Sequence, residues 1–148
     1  MITYNHARYI SQAIECVLAQ KTVFPFELVI GEDCSTDGTR EIVFDYARRY
    51  PELIRVITTD QNVGMQKNSN RTSDACQGKY IAYCEGDDYW HHPEKLQKQV
   101  AYLESHPECG LVCSDYDVLN SVSEKRIKGF VKYRGWAIPV SPRIEDFV

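Results

Sequence analysis

Three carboxylates lie together in the string Glu85-Gly86-Asp87-Asp88, directly after a short apolar run. Carboxylates at this spacing repel one another and any phosphate that approaches, and a divalent cation reverses that repulsion. Mg²⁺ and Mn²⁺ commonly use one or two carboxylates together with the phosphates of a substrate. Gly86 allows the backbone to come close to a ligand or a neighbouring strand. The string therefore fits a metal bridge to a diphosphate, and it equally fits a solvated acidic turn that caps the next helix.

Two other polar strings follow apolar runs in the same way. Thr3-Tyr4-Asn5 lies at the end of the first run, and Glu32-Asp33-Cys34-Ser35 follows the run that ends at Gly31. These three strings are the places where the chain could assemble a polar site.

The elements that position these strings follow from hydrophobic periodicity. Short apolar runs predict strands at 1–4, 26–30, 54–58, 80–84 and 110–113, and helical spacing predicts helices at 8–20, 42–50, 67–76 and 93–106. This alternation is typical of an α/β fold with a mostly parallel sheet and helices on both faces. Ligands of such sheets bind beyond the carboxyl ends of the strands. In the usual 3-2-1-4 order the first and fourth strands are neighbours, so we expect Asn5 and Asp87 to line one crevice.

Composition excludes several other classes of protein. The chain has 148 residues, 43% of them hydrophobic and 26% charged, which fits one folded domain. Its net charge is -4, and a general nucleic-acid binder usually has a basic excess. No apolar run approaches the roughly 18 residues of a membrane span. The six cysteines form no Cys-x-x-Cys pair, which favours reduced thiols in a cytoplasmic protein.

Two aromatic residues and two histidines follow the acidic string. Tyr89-Trp90 could form a floor for a sugar, and core packing is the alternative. His91 and His92 could be metal ligands, and a position at the start of the next helix is the alternative.

Four strings together resemble the family 2 glycosyltransferases of the GT-A fold, a Rossmann-like α/β architecture. Their order and spacing match from residue 1 to about residue 115. The strings are Thr3-Tyr4-Asn5, Gly31-Glu32-Asp33-Cys34-Ser35-Thr36-Asp37-Gly38-Thr39, Gly78-Lys79-Tyr80-Ile81 and Glu85-Gly86-Asp87-Asp88-Tyr89-Trp90.

The resemblance implies a role for each matching residue. Asp87 and Asp88 would hold Mn²⁺ or Mg²⁺, while Glu85 and Gly86 would lie against the ribose side of the nucleotide. Thr3, Tyr4 and Asn5 would lie along the base, and the acidic pair Glu32-Asp33 would accept hydrogen bonds from base and ribose. Asn62, Asn68 and Arg71 fall in the segment that closes over the nucleotide. Of these, Arg71 is the predicted contact, and an exposed helix face is favoured for Asn68.

The resemblance also implies an activity. A sugar would pass from a nucleotide-diphosphate donor, most often a UDP-sugar, to a hydroxyl of a saccharide or glycolipid, with inversion at the anomeric carbon. We expect residues 1–118 to form the nucleotide-sugar-binding core and residues 119–148 to begin an incomplete acceptor side. The general base is then expected beyond Val148. The alternative is a non-catalytic fragment that only binds the nucleotide sugar. A cytoplasmic location is expected, either free or at the inner membrane face.

Overall fold

The computed structural model describes residues 1–130, which fall into two compact units that divide after Gln97. Three strands and three helices alternate along the first unit, and helix α4 follows them. The elements are β1 (Ile2–Thr3), α1 (Ile10–Leu18), β2 (Leu28–Glu32), α2 (Thr39–Arg49), β3 (Ile54–Thr58), α3 (Met65–Asp74) and α4 (Lys95–Ser105). In the second unit β4 (Val118–Leu119) pairs antiparallel with β5 (Arg126–Ile127).

The three strands of the first unit form a parallel sheet in the order β1-β2-β3. Ile2 lies opposite Gly31, and Ile30 lies opposite Val56. All five residues of β2 are buried because helices cover both faces of this central strand. The predicted α/β class and the order of the first three strands are therefore confirmed.

Alternate residues of β2 face different helices, as the pleat of a strand requires. Leu28 and Ile30 pack in a cluster with residues of α1 and α2, whereas Gly31 lies against α3. The buried members of that cluster are Ile10, Ile14, Val17, Leu28, Ile30, Val43, Tyr46 and Ile54.

Two predicted strands are wrong. Residues 80–84 do not form a strand, and Ile81 and Tyr83 are exposed. The neighbouring edge strand β1 has only two residues, and the backbone hydrogen bond that its Ile2 accepts comes from Gly86, beyond this segment, whose amide donates at 3.0 Å. Residues 110–113 pair with no strand in the described part of the chain, and Leu111 is half exposed. A short apolar run needs a pairing partner as well as hydrophobicity to become a strand.

Residues 120–125, where the sequence pattern is weak, connect the two strands of the β4–β5 hairpin. Arg126 pairs with Asp117, and the other oxygen of Asp117 accepts from the Gly129 amide at 2.7 Å. No helix within residues 1–130 has the length and apolar character needed to cross a membrane.

Candidate functional site

The carboxyl ends of β1 and β2 lie side by side and carry most of the predicted site residues. Thr3 is in register with Glu32, and the Asp33 amide donates to the Thr3 carbonyl oxygen at 3.1 Å. The Gly86 hydrogen bond to Ile2 brings residues 85–88, which we call the acidic turn, to the same edge. Three polar strings that are distant in sequence therefore meet at one edge of the sheet.

Glu32 is fully buried, and the chain itself occupies both of its carboxylate oxygens. Oε1 accepts from the Ser35 amide at 2.6 Å, and Oε2 accepts from Arg40 Nε at 2.9 Å and Thr58 Oγ1 at 3.0 Å. Burial by itself raises the pKa of Glu32, but the hydrogen bonds from Ser35 and Thr58 and the charge of Arg40 outweigh it, so the pKa lies below its ordinary value. The carboxylate thus holds the loop that follows β2.

Asp33 connects β2 with the loop that leads into α3. Its two carboxylate oxygens accept from the amides of Val63 and Gly64, each at 2.9 Å. Its carbonyl oxygen accepts from Asn62 Nδ2 at 3.2 Å. Arg71 approaches from α3 with Nη2 3.5 Å from Asp33 Oδ1. Asp33 is only 2% exposed, so these groups fix it in one position.

Arg71 has one nitrogen that the described residues leave unbonded. Nη2 donates to the Glu32 carbonyl oxygen at 3.0 Å, and Nε donates to Asn68 Oδ1 at 2.9 Å. Nη1 is buried and has no hydrogen-bond partner within residues 1–130. A buried donor of a charged group is costly to leave unpaired, so an oxygen of a bound ligand would complete this guanidinium.

Asn68 is buried, although the sequence favoured an exposed helix face. Its Nδ2 donates to the Gly31 carbonyl oxygen at 2.8 Å, and its Oδ1 accepts from Arg71. This side chain therefore couples α3 to β2 and orients Arg71. Periodicity could not reveal it because the buried positions of α3 are polar, namely Asn68 and Thr72.

The loops after β1 and β2 are joined by hydrogen bonds. Asn5 adopts a left-handed backbone with φ 56°. Its Oδ1 accepts from the Thr36 amide at 2.9 Å, and its amide donates to Ser35 Oγ at 3.0 Å. The Asn5 side chain, which we expected beside Asp87, is thus bonded to the loop after β2. The next residue, His6, lies beside Asp87 instead, with Nε2 4.0 Å from Oδ2. Tyr4 remains exposed beside this joined pair of loops.

The acidic turn packs closely against β1 through Gly86. A Cβ at Gly86 would lie 2.7 Å from Thr3 Oγ1 and 2.9 Å from His6 Nδ1, so only glycine fits. Burial raises the pKa of Glu85, and the charges of Asp87 and Asp88 raise it further. Partial burial and the charge of Asp87 likewise raise the pKa of Asp88. These carboxylates therefore carry repulsion that a cation would relieve.

The chemistry of the acidic turn fits a divalent cation. Asp87 and Asp88 are exposed at the end of the turn, and oxygen ligands suit Mg²⁺ and Mn²⁺. Within residues 1–130 no group of three or more His, Cys, Asp or Glu side chains forms a metal cage of its own. The turn therefore fits a cation that takes its remaining ligands from a bound diphosphate.

The residues after the acidic turn serve mainly the fold. Trp90 packs against the core cluster, and its amide donates to Cys16 Sγ at 3.1 Å. His92 Nδ1 accepts from the Glu94 amide at 3.1 Å at the start of α4, while His91 is exposed. All six cysteines are free thiols.

Comparison with known proteins identifies the family. The sequence model described as Glycosyl transferase family 2 matches residues 1–139. The chain belongs to glycosyl transferase family 2. The uncharacterized protein Rv1520 of Mycobacterium tuberculosis is 49% identical over 107 residues, which are 72% of this chain and 31% of that relative. This family 2 chain thus spans about a third of the length of that relative.

Solved structures agree with the family 2 assignment. A structure of S. aureus TarS 1-349 in complex with UDP is 31% identical with a TM-score of 0.61, and it covers 72% of this chain and 31% of that one. The mannosyltransferase PcManGT of Pyrobaculum calidifontis shares the fold at 23% identity, with a TM-score of 0.67 over 78% of this chain and 34% of that one. The expected GT-A fold is confirmed.

Proposed function

We propose that this chain is the donor-binding part of a glycosyltransferase that uses a nucleoside diphosphate sugar and a divalent cation. One observation carries the proposal: the Gly86–Ile2 hydrogen bond and the Thr3–Glu32 register bring the acidic turn to the strand edge that bears Asp33 and Arg71. A cation site and a site for a polar base would then lie at one edge. A nucleoside diphosphate joins those two chemistries in one molecule.

The nucleoside would lie between Tyr4 and Arg71. Tyr4 offers an exposed aromatic face, and Arg71 Nη1 offers an unbonded buried donor. Asp33 and the loop that carries Asn5 would line the other side of this site, and Glu32 holds that loop through its hydrogen bond from the Ser35 amide. UDP is the nucleotide that we propose, because the 31% identical TarS holds UDP in one structure and UDP-GlcNAc in another.

The diphosphate would lie at the acidic turn. Asp87, with Asp88, would hold Mn²⁺ or Mg²⁺, and Glu85 and Gly86 would face the ribose. When bound, the cation supplies Lewis-acid stabilisation of the charge on the departing diphosphate. Asp87 and Asp88 would contribute by holding the cation at one position, and the close packing of Gly86 on Thr3 keeps the turn in place.

The remaining parts of the activity are proposals at family level. The acceptor would be a saccharide or glycolipid hydroxyl, transfer would invert the anomeric carbon, and the general base would lie beyond Val148. Residues 1–118 would bind the donor and residues 119–148 would begin the acceptor side. A cytoplasmic protein, free or at the inner membrane face, fits a UDP-sugar donor. The alternative is a chain that binds the donor without catalysis.

Calorimetric titration of UDP tests this proposal. We expect binding in Mn²⁺, and at least tenfold weaker binding in chelator or in Asp87→Ala, because the diphosphate then lacks its counter-charge. Asp74→Ala, an exposed carboxylate at the carboxyl end of α3, is the matched control and should bind like the parent chain. Equal binding in all four conditions would exclude the cation from the acidic turn. Absence of UDP binding throughout would refute the donor site.

A further inference from the structure

His6 is held by its backbone in front of the acidic turn. Its amide donates to Thr39 Oγ1 at 2.8 Å, and its carbonyl oxygen accepts from the amides of Tyr9 and Ile10 at 2.8 and 2.9 Å. The imidazole is about a quarter exposed. The sequence motifs assign no role to this residue.

The imidazole and the Asp87 carboxylate are spaced to share a cation. His6 Nε2 lies 4.0 Å from Asp87 Oδ2, which is too long for a hydrogen bond. Divalent cations bind imidazole nitrogen and carboxylate oxygen at about 2.0–2.2 Å, so one cation can reach two ligand atoms about 4 Å apart. Both side chains are partly exposed, which leaves room for a diphosphate to supply the other ligands.

A second, independent observation concerns the other ring nitrogen, Nδ1. Thr3 is only 2% exposed, and its hydroxyl has no hydrogen-bond partner among the residues described. His6 Nδ1 is also buried and unbonded, and both atoms lie over Gly86, within 3 Å of the position of a Cβ there. A histidine that ligates through one ring nitrogen almost always donates a hydrogen bond from the other. Thr3 Oγ1 and His6 Nδ1 do not bond each other in this structure, but both lie within 3 Å of the same point, so Thr3 Oγ1 is the acceptor that Nδ1 would bond when the ring binds a cation.

We propose that His6 is a ligand of the divalent cation together with Asp87, and that the Thr3 hydroxyl positions the cation-bound imidazole by then accepting from Nδ1. The inference rests on the proposed function and adds a nitrogen ligand to its oxygen site. The mixed ligand set has a consequence for selectivity. Imidazole favours transition metals, whereas Mg²⁺ prefers oxygen ligands, so the site should prefer Mn²⁺ to Mg²⁺.

Pulsed electron paramagnetic resonance of Mn²⁺ on the full chain with UDP tests the ligand directly. We expect nitrogen modulation from a coordinated imidazole, which changes when the chain carries ¹⁵N-histidine and disappears in His6→Asn. His91→Asn removes an exposed histidine beside the turn and should leave the modulation unchanged. A bound Mn²⁺ without nitrogen modulation would overturn the proposal, while metal-dependent UDP binding lost in Asp87→Ala would still support the donor site.

Affinity measurements separate the ligand from the residue that positions it. We expect His6→Asn to weaken the binding of Mn²⁺ at least tenfold and the binding of Mg²⁺ by a smaller factor. Thr3→Val should weaken the binding of Mn²⁺ by about 10–100-fold, which is the usual effect of losing the hydrogen bond to the other ring nitrogen of a ligating histidine. Thr3→Ser keeps the hydroxyl and should restore the parent affinity. An Mn²⁺ affinity in His6→Asn equal to that of the parent chain would refute the assignment of His6 as a ligand. Equal affinities in the two Thr3 variants would refute the role of the Thr3 hydroxyl.

Discussion

At the scale of single residues, the two acidic strings do different work. The oxygens of Glu32 are occupied by Ser35, Arg40 and Thr58, so this carboxylate acts within the chain. Within residues 1–130 the acidic turn has no such set of donors, and partial burial and mutual repulsion raise the pKa of Glu85 and Asp88. A carboxylate whose charge is balanced by donors of the same chain stabilises the fold. A carboxylate that faces other carboxylates without such donors is suited to binding a cation.

The first prediction concerns Glu32→Gln, which removes the charge but keeps the shape. We expect the free energy of unfolding at pH 7 to fall by about 1–3 kcal/mol, because a buried charge-assisted network is lost. The folded pKa of Glu32 lies below the unfolded value of about 4.3, so its contribution is complete above that pH and is lost as the pH falls through the folded pKa.

Urea denaturation across pH checks this prediction. The difference in unfolding free energy between the parent chain and Glu32→Gln should be largest at neutral pH and should become smaller below about pH 4.3. Glu52→Gln, an exposed carboxylate before β3, should change the unfolding free energy by less than about 0.5 kcal/mol at every pH. A constant difference between parent and Glu32→Gln down to strongly acid pH would contradict the assigned cause.

At the scale of elements, the site depends on how closely α3 approaches β2. The helix packs with Asn68 and Thr72, and Asn68 bonds the backbone of Gly31. A Cβ at Gly31 would lie 1.9 Å from Thr72 Oγ1 and 2.7 Å from Asn68 Oδ1. The missing side chain of Gly31 therefore sets the position of Arg71.

Gly31→Ala should separate α3 from the sheet. We expect a loss of about 1–3 kcal/mol in unfolding free energy, the usual cost of overpacking, together with weaker UDP binding because Arg71 moves with the helix. Thermal denaturation and UDP titration measure the two effects. Gly110→Ala, where a Cβ meets nothing within 4 Å, should change neither. Parent-like stability in Gly31→Ala would show that α3 can shift without cost.

At the scale of the whole molecule, the candidate site lies in one of the two units. Every residue that we assign to the nucleotide or the cation falls between Thr3 and Asp88, inside the unit Met1–Gln97. The second unit, from Lys98, has its own hairpin held by Asp117. Ligand effects on local stability should therefore be confined to the first unit.

Hydrogen exchange with mass spectrometry tests that confinement. With UDP and Mn²⁺ we expect slower amide exchange in peptides covering 28–36, 62–72 and 84–90, because binding opposes local opening. Peptides within 98–130 should exchange at an unchanged rate. Chelator should remove most of the protection, and protection limited to 98–130 would contradict the assignment of the site to the first unit.

The sequence by itself determined the family, the α/β class, three parallel strands and the strings that meet at their carboxyl ends. Hydrophobic periodicity and residue spacing are local properties, and these features depend on them. Only the tertiary structure decided that residues 80–84 form no strand, because strand pairing requires a neighbouring strand, and the edge strand β1 has only two residues. It alone buried Asn68 on a polar helix and brought His6 to Asp87, since those contacts join residues 37 or more positions apart.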